Sequence, residues 1–154
     1  FIGRLQRRKV KTVVGLFELI QSVESLELAE EINRRAREAG IRQRVLLEVN
    51  IGREASKGGF SPDALADAVR AIETMSNLAV EGLMAIPPAS ANGESARPHF
   101  RALRELARSL ENPAWQRVKM KELSMGMSGD FETAIEEGAT MVRIGTALFG
   151  ARRG

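Results

Sequence analysis

Cysteine and tyrosine are absent from the 154 residues, histidine and tryptophan occur once each, and aromatics make up only 5%. Without cysteine there is no disulfide framework, no thiolate zinc site and no cysteine nucleophile. So few aromatics argue against a surface that stacks nucleobases. No apolar run approaches the roughly 18 residues of a membrane span. No charged segment leads into an apolar h-region either. These absences predict a chain that is neither exported nor membrane-bound, with the cytoplasm as its expected compartment.

What is present is ordinary for one globular core: 44% hydrophobic and 28% charged residues, with a formal charge of +3. Basic residues do crowd one place, at Arg4, Arg7, Arg8, Lys9 and Lys11. A nucleic-acid patch is one reading of that cluster, but without interleaved aromatics a solvated helix face is the favoured one. Phe1-Ile2-Gly3 reads as the tail of a strand already under way, so an N-terminal piece is expected upstream of this chain.

Helical and apolar-strand patterns alternate along the chain without a low-complexity linker, which predicts a single parallel α/β domain over residues 1–154. A basic helical segment over 5–14 precedes a strand at 16–23. Ser25 then caps a helix with Leu26, Ala29, Ile32 and Ala36 on one face, acidic residues first, arginines last and Gly40 as its stop. Glu30 with Arg34, and Glu31 with Arg35, stand at i,i+4. A strand at 44–51 leads through GREASKGG to Ser61-Pro62, an expected helix start. A strand at 78–86 leads to a helix beginning near Pro98. A short strand at 121–124, the turn GMSGD, a helix over 131–137 and a last strand at 141–144 complete five β-to-α units. Such a series suits a doubly wound sheet or an arc of a (β/α)₈ barrel, and periodicity does not choose between them.

The chemistry concentrates near the end. Gly126-Met127-Ser128-Gly129 and Ile144-Gly145-Thr146 follow the last two strands, and in parallel α/β folds such loops lie side by side at the strands' carboxyl ends. Their small residues and free N–H groups make a candidate phosphate cup, against the plainer reading of N-caps at Ser128 and Thr146. Arg143 stands in an apolar strand three residues before Thr146. It is always charged and only donates, so it needs an acceptor: a ligand in the mouth, or an ion pair with Glu48 or Glu81. Asn50 and Met84 end strands at the same mouth, as turn amide and core residue or as ligand contacts. Lys57 lacks Walker-A spacing and reads as a solvated loop lysine, and His99 as a surface or capping residue.

The ordered set FIGRLQ, VNI, SKGG, GLMAI and SMGMSGDFETAIEEGATMVRIGTALFGAR resembles the pyridoxal-phosphate homeostasis proteins, relatives of the alanine racemase N-terminal barrel, over essentially the whole chain. The resemblance implies a (β/α)₈ TIM-type barrel of which this chain is the C-terminal two-thirds, its first strands missing. It implies pyridoxal 5′-phosphate (PLP) as cofactor, its phosphate at Ser128, Gly145 and Thr146 and the backbone of Met127, its pyridine nitrogen at Arg143, and Asn50 and Met84 along its sides. It also implies a non-catalytic carrier in intracellular vitamin B6 homeostasis, with PLP-dependent apo-enzymes as partners. Two departures stand out. The family's Schiff-base lysine would lie upstream of Phe1, and Gln6-Arg7-Arg8-Lys9 carries Arg8 where the family pattern Gln-x-Asn-Lys has asparagine. The alternatives are a racemase-like enzyme, disfavoured because the chain has no tyrosine to act as a second acid–base group, and a nucleic-acid module built on the basic N-terminus. A barrel without its first strands has open sheet edges, so self-association is expected.

Overall fold

A computed structural model describes residues 1–150. Its elements are a 3₁₀ turn (Arg7–Lys9) running into α1 (Val10–Val13), β1 (Leu19–Val23), α2 (Leu26–Glu38), β2 (Gln43–Val49), α3 (Leu65–Glu73), β3 (Leu78–Ala85), α4 (Arg97–Ser109), β4 (Val118–Met127), α5 (Phe131–Glu136), β5 (Met141–Arg143) and α6 (Thr146–Phe149). All five strands are parallel and lie in chain order.

Alternation along the strands separates two faces. Val45, Leu47, Val80 and Leu83 point outward into a core completed by Ile32 of α2, Val69 of α3 and Leu103 of α4. Each of these side chains is essentially buried, and each such burial contributes roughly 1.5–3 kcal/mol. The inner face is more polar. Glu48, Met84 and Ser124 stand in register across β2, β3 and β4, with Leu46, Gly82 and Glu122 one row below.

The sheet curls around that inner face. β1 and β4 are three strand spacings apart, about 14 Å in a flat sheet. Nevertheless Ser124 Oγ of β4 donates to Gln21 Oε1 of β1 at 2.6 Å, and Gln21 Nε2 lies 3.6 Å from Met141 Sδ of β5. Two short side chains span that gap only if the strands wrap toward each other, which makes the sheet an arc of a barrel and decides between the two architectures left open by periodicity. Phe1 continues the arc beyond β1: its amino group donates to the Leu19 carbonyl and its own carbonyl accepts from the Gln21 N–H.

Several boundaries differ from the sequence expectations. β1 begins at Leu19 because Leu16 and Phe17 are solvent-exposed. Ser61 closes a tight turn, accepting the Ala64 N–H at both its carbonyl and its hydroxyl, so α3 starts at Leu65, where burial begins. β4 is far longer than its apolar centre: Val118 and Met120 are buried while Lys119 and Lys121 are exposed, a half-buried alternation that a search for apolar runs passes over. It runs on through Gly126, where φ is +93° and a Cβ would meet Ala134 Cβ at 2.5 Å. β5 stops one residue early, at Arg143. Ser25 caps α2 as expected, accepting the Leu28 N–H at 3.3 Å. Glu31 pairs with Arg35 as expected, but Arg34 turns to Glu31 and Glu38 rather than Glu30.

Candidate functional site

The loops at the carboxyl ends of β2 to β5 form one mouth. Two glycines mark close approaches to side-chain ends at this mouth. A Cβ on Gly58 would lie 2.0 Å from Glu24 Oε2, and one on Gly129 would lie 2.5 Å from Asn92 Oδ1. A cavity of about 480 Å³ opens among these loops, lined by Lys57, Pro87, Asn92, Met127, Gly129 and Asp130.

Ser128 sits at the junction of the last two loops. Its Oγ accepts the Gly145 N–H at 3.3 Å and the Ala147 N–H at 3.1 Å. The capping reading was therefore right in kind, but the cap acts across the sheet: the loop after β4 satisfies the start of α6, and Thr146 is the first helical residue rather than the cap. Nothing lies within 4 Å of where a Gly145 Cβ would stand, so the space beside this residue is open. Both amides already donate to Ser128 Oγ, so an anion at this cup takes them over from the hydroxyl. The Met127 N–H is likewise engaged, with Asp130 Oδ1 at 2.6 Å, and the Met127 side chain is exposed at the rim.

Arg143 is half-buried on the inner face, beside Met127 in register. One guanidinium nitrogen, Nη1, donates to Ser124 Oγ at 2.6 Å and the other, Nη2, to the Ala85 carbonyl at 2.9 Å. Neither expected ion pair forms. Glu81 bonds Arg44 at 3.2 Å toward the amino ends of β3 and β2, where Arg44 also pairs with Glu18. Glu48 lies beyond ion-pair distance. Burial pulls the guanidinium below its ordinary pKa, opposed by the fields of Glu48 and Asp130. Burial likewise pushes the Glu48 carboxyl up, helped by Glu24 and opposed by Arg143 and Arg4. The arginine thus keeps its charge while bonded to neutral oxygens, and it can add only an acceptor.

Met84 is buried on the inner row between Glu48 and Ser124. Asn50 folds its own loop: its amide nitrogen donates to the Glu54 carbonyl at 2.8 Å and its oxygen accepts the Glu54 N–H at 3.1 Å. Lys57 is not a free, solvated lysine. Its ammonium pairs with Glu54 at 2.5 Å and donates to the Pro87 carbonyl at 3.1 Å, tying the loop after β2 to the loop after β3. His99 lies on α4, and no group of metal-ligating side chains is found among the described residues. The basic N-terminus is spread out, Arg4 pairing with Glu24 and Arg8 with the Gln6 carboxamide. Sequence reasoning missed Gln21 and Ser124. Their only signal was a small or amide polar side chain among the apolar residues of a strand, as Gln21 in LIQSV and Ser124 in ELSM.

A family model described as alanine racemase, N-terminal domain, matches residues 2–153. The chain belongs to this family. Within it, the chain is 51% identical over 153 residues to a pyridoxal phosphate homeostasis protein of Aquifex aeolicus and 42% identical to one of Pseudomonas aeruginosa, in each case over 99% of its own length. It spans 66% and 64% of those two proteins, slightly less than two thirds. The solved structure of PipY of Synechococcus elongatus with PLP bound superposes with a TM-score of 0.85 at 33% identity, over 96% of this chain and 68% of that one. A Clostridium difficile alanine racemase shares the fold, with a TM-score of 0.72 at 19% identity over 99% of this chain and 39% of that one. No helix among the described residues is long and apolar enough to cross a membrane.

Proposed function

We propose that this chain forms the phosphate and ring-nitrogen side of a non-catalytic PLP-binding barrel that acts in pyridoxal phosphate homeostasis. The observation that carries the reading is the pairing of the hydroxyl–amide cluster at Ser128, Gly145 and Ala147, which borders open space at Gly145, with Arg143 on the adjacent inner face. The names of the homeostasis relatives and the PLP-bound PipY structure support it. Ser128, Gly145 and Thr146 hold the phosphate, with the Met127 backbone joining once Asp130 releases it. Arg143 faces the pyridine nitrogen, and Met84 and Asn50 flank the ring. PLP supplies an electrophilic carbonyl and an electron-accepting ring when bound. Because the guanidinium cannot give up its proton, it holds the ring nitrogen unprotonated and restrains that electron demand, which suits a carrier better than a catalyst.

Residues 1–154 act as one domain, the C-terminal two-thirds of the barrel, and the Schiff-base lysine belongs to a strand preceding Phe1. The expected partners are PLP itself and cytoplasmic PLP-dependent apo-enzymes. The edge of β5 favours self-association, which sedimentation at increasing dilution tests. The decisive experiment is equilibrium binding of PLP to the chain, competed with inorganic phosphate, for wild type and Arg143→Gln. Phosphate-competable binding that survives Arg143→Gln, with an altered ring absorbance, supports the reading. Absence of binding, or borohydride-fixed labelling of Lys57, contradicts it.

A further inference from the structure

The hydrogen bonds around Arg143 have only one possible direction. A guanidinium only donates, so Ser124 Oγ accepts from Arg143 Nη1. The single hydroxyl proton of Ser124 is then free to donate, and the oxygen 2.6 Å away is Gln21 Oε1. That fixes the Gln21 carboxamide with its nitrogen toward Met141 Sδ. Ser124 is completely buried.

We propose that Ser124 and Gln21 are positioning residues that aim the Arg143 guanidinium at the ring nitrogen of the bound ligand. They act through Arg143 and need not touch the ligand. The chain of bonds links β1, β4 and β5, and the second bond of Arg143, to Ala85, adds β3. Arg143 is therefore held from both sides, along the arc and across it. Aim matters because a long side chain otherwise samples many rotamers, and holding it in advance removes an entropic cost at binding. The charged groups acting on the guanidinium are Glu48 and Asp130, neither within ion-pair distance, so neutral oxygens rather than carboxylates set its direction.

This inference rests on the proposed PLP site, and the test separates the two. PLP is titrated onto the full chain for wild type, Ser124→Ala, Ser124→Thr, Gln21→Leu and Gln21→Glu. Affinity, competition by inorganic phosphate, and the pH midpoint of the bound ring's absorbance are recorded. Heteronuclear NMR of the ligand-free chain follows the Arg143 guanidinium protons. Ser124→Ala and Gln21→Leu are expected to keep affinity within about twofold, because the phosphate cup is intact, and to move the ring midpoint up by about one pH unit, as a cation near the ring is lost. Ser124→Thr, which keeps the hydroxyl, is expected to restore the wild-type midpoint, whereas Gln21→Glu, which keeps the acceptor but adds a negative charge, is expected to raise it. In the ligand-free chain, Ser124→Ala is expected to speed exchange of the Arg143 Nη1 protons, while the Ala85 bond still holds Nη2. A folded Ser124→Ala with unchanged midpoint and unchanged exchange overturns the positioning role while leaving the binding proposal standing. Slowed exchange in a wild-type chain that fails to bind PLP overturns the aim at a ligand. Should Ser124→Ala not fold, Gln21→Leu carries the same outcomes.

Discussion

Ser128 Oγ, in the loop after β4, accepts the backbone N–H of Ala147, in α6, at 3.1 Å. One side chain therefore both docks the last helix and faces the space proposed for the phosphate. Ser128→Ala removes the acceptor of two amides, and it is expected to loosen α6 by about 1 kcal/mol and to weaken PLP binding about tenfold. Thermal unfolding and equilibrium titration measure the two effects separately. Undiminished PLP affinity in Ser128→Ala would count against the cup.

Gly82 and Gly145 should respond oppositely to alanine. A Cβ on Gly82 would stand 1.9 Å from the Glu122 carbonyl oxygen, a backbone atom of the neighbouring strand that cannot swing away. Gly82→Ala is expected to cost about 3 kcal/mol in urea unfolding, since β3 and β4 must separate. Gly145 has φ −117° and open space where a Cβ would go, so Gly145→Ala should leave stability unchanged while reducing phosphate affinity. Equal destabilisation by both would refute this placement.

Glu48 gives the fold a pH dependence of one sign. Its carboxyl lies above its ordinary value of 4.5, chiefly through burial. The unfolded chain therefore loses this proton first. The contribution of Glu48 is most favourable below the ordinary value, and it declines as pH rises through the window up to the folded value. Glu48→Gln is expected to melt higher than wild type at neutral pH, the gap closing below a pH of about 4. Melting curves across that range that run parallel would exclude the effect.

Glu137 has the opposite sign. Its buried carboxylate faces Arg97, Arg101 and Arg104 at 3.0–3.2 Å, clamping α5 onto α4. Hydrogen bonding from Arg101, then Arg97, holds it below the ordinary value of 4.5. Its stabilisation is present above that value and is lost as acid carries the pH down through the folded value. Relative to wild type, Glu137→Gln should melt lower at neutral pH and show a shallower acid limb. A limb as steep as wild type would place the acid sensitivity elsewhere.

The alternation of strand and helix, the Ser25 cap and the arginine-rich end of α2 were all legible in the chain, because capping and periodicity act between residues a few positions apart. The partner of Arg143 was not. Glu48 and Glu81 were plausible by residue type, yet Arg44 takes Glu81, and the nearest acceptors of Arg143 are a serine hydroxyl and a backbone carbonyl. The extent of β4 was likewise hidden, its outer half alternating with lysines.

By itself the sequence determined the order of elements, the apolar face of each helix and the two small-residue loops that open the mouth. These follow from local sterics, hydrogen-bond caps and hydrophobic spacing. Only the tertiary structure decided that β1 curls back to meet β4 and β5, that Ser128 caps a helix it does not begin, and that Arg143 hangs from Ser124 and, through it, Gln21. Those bonds join residues up to 120 positions apart, and their geometry depends on the curvature of the whole sheet, which no short stretch of sequence encodes.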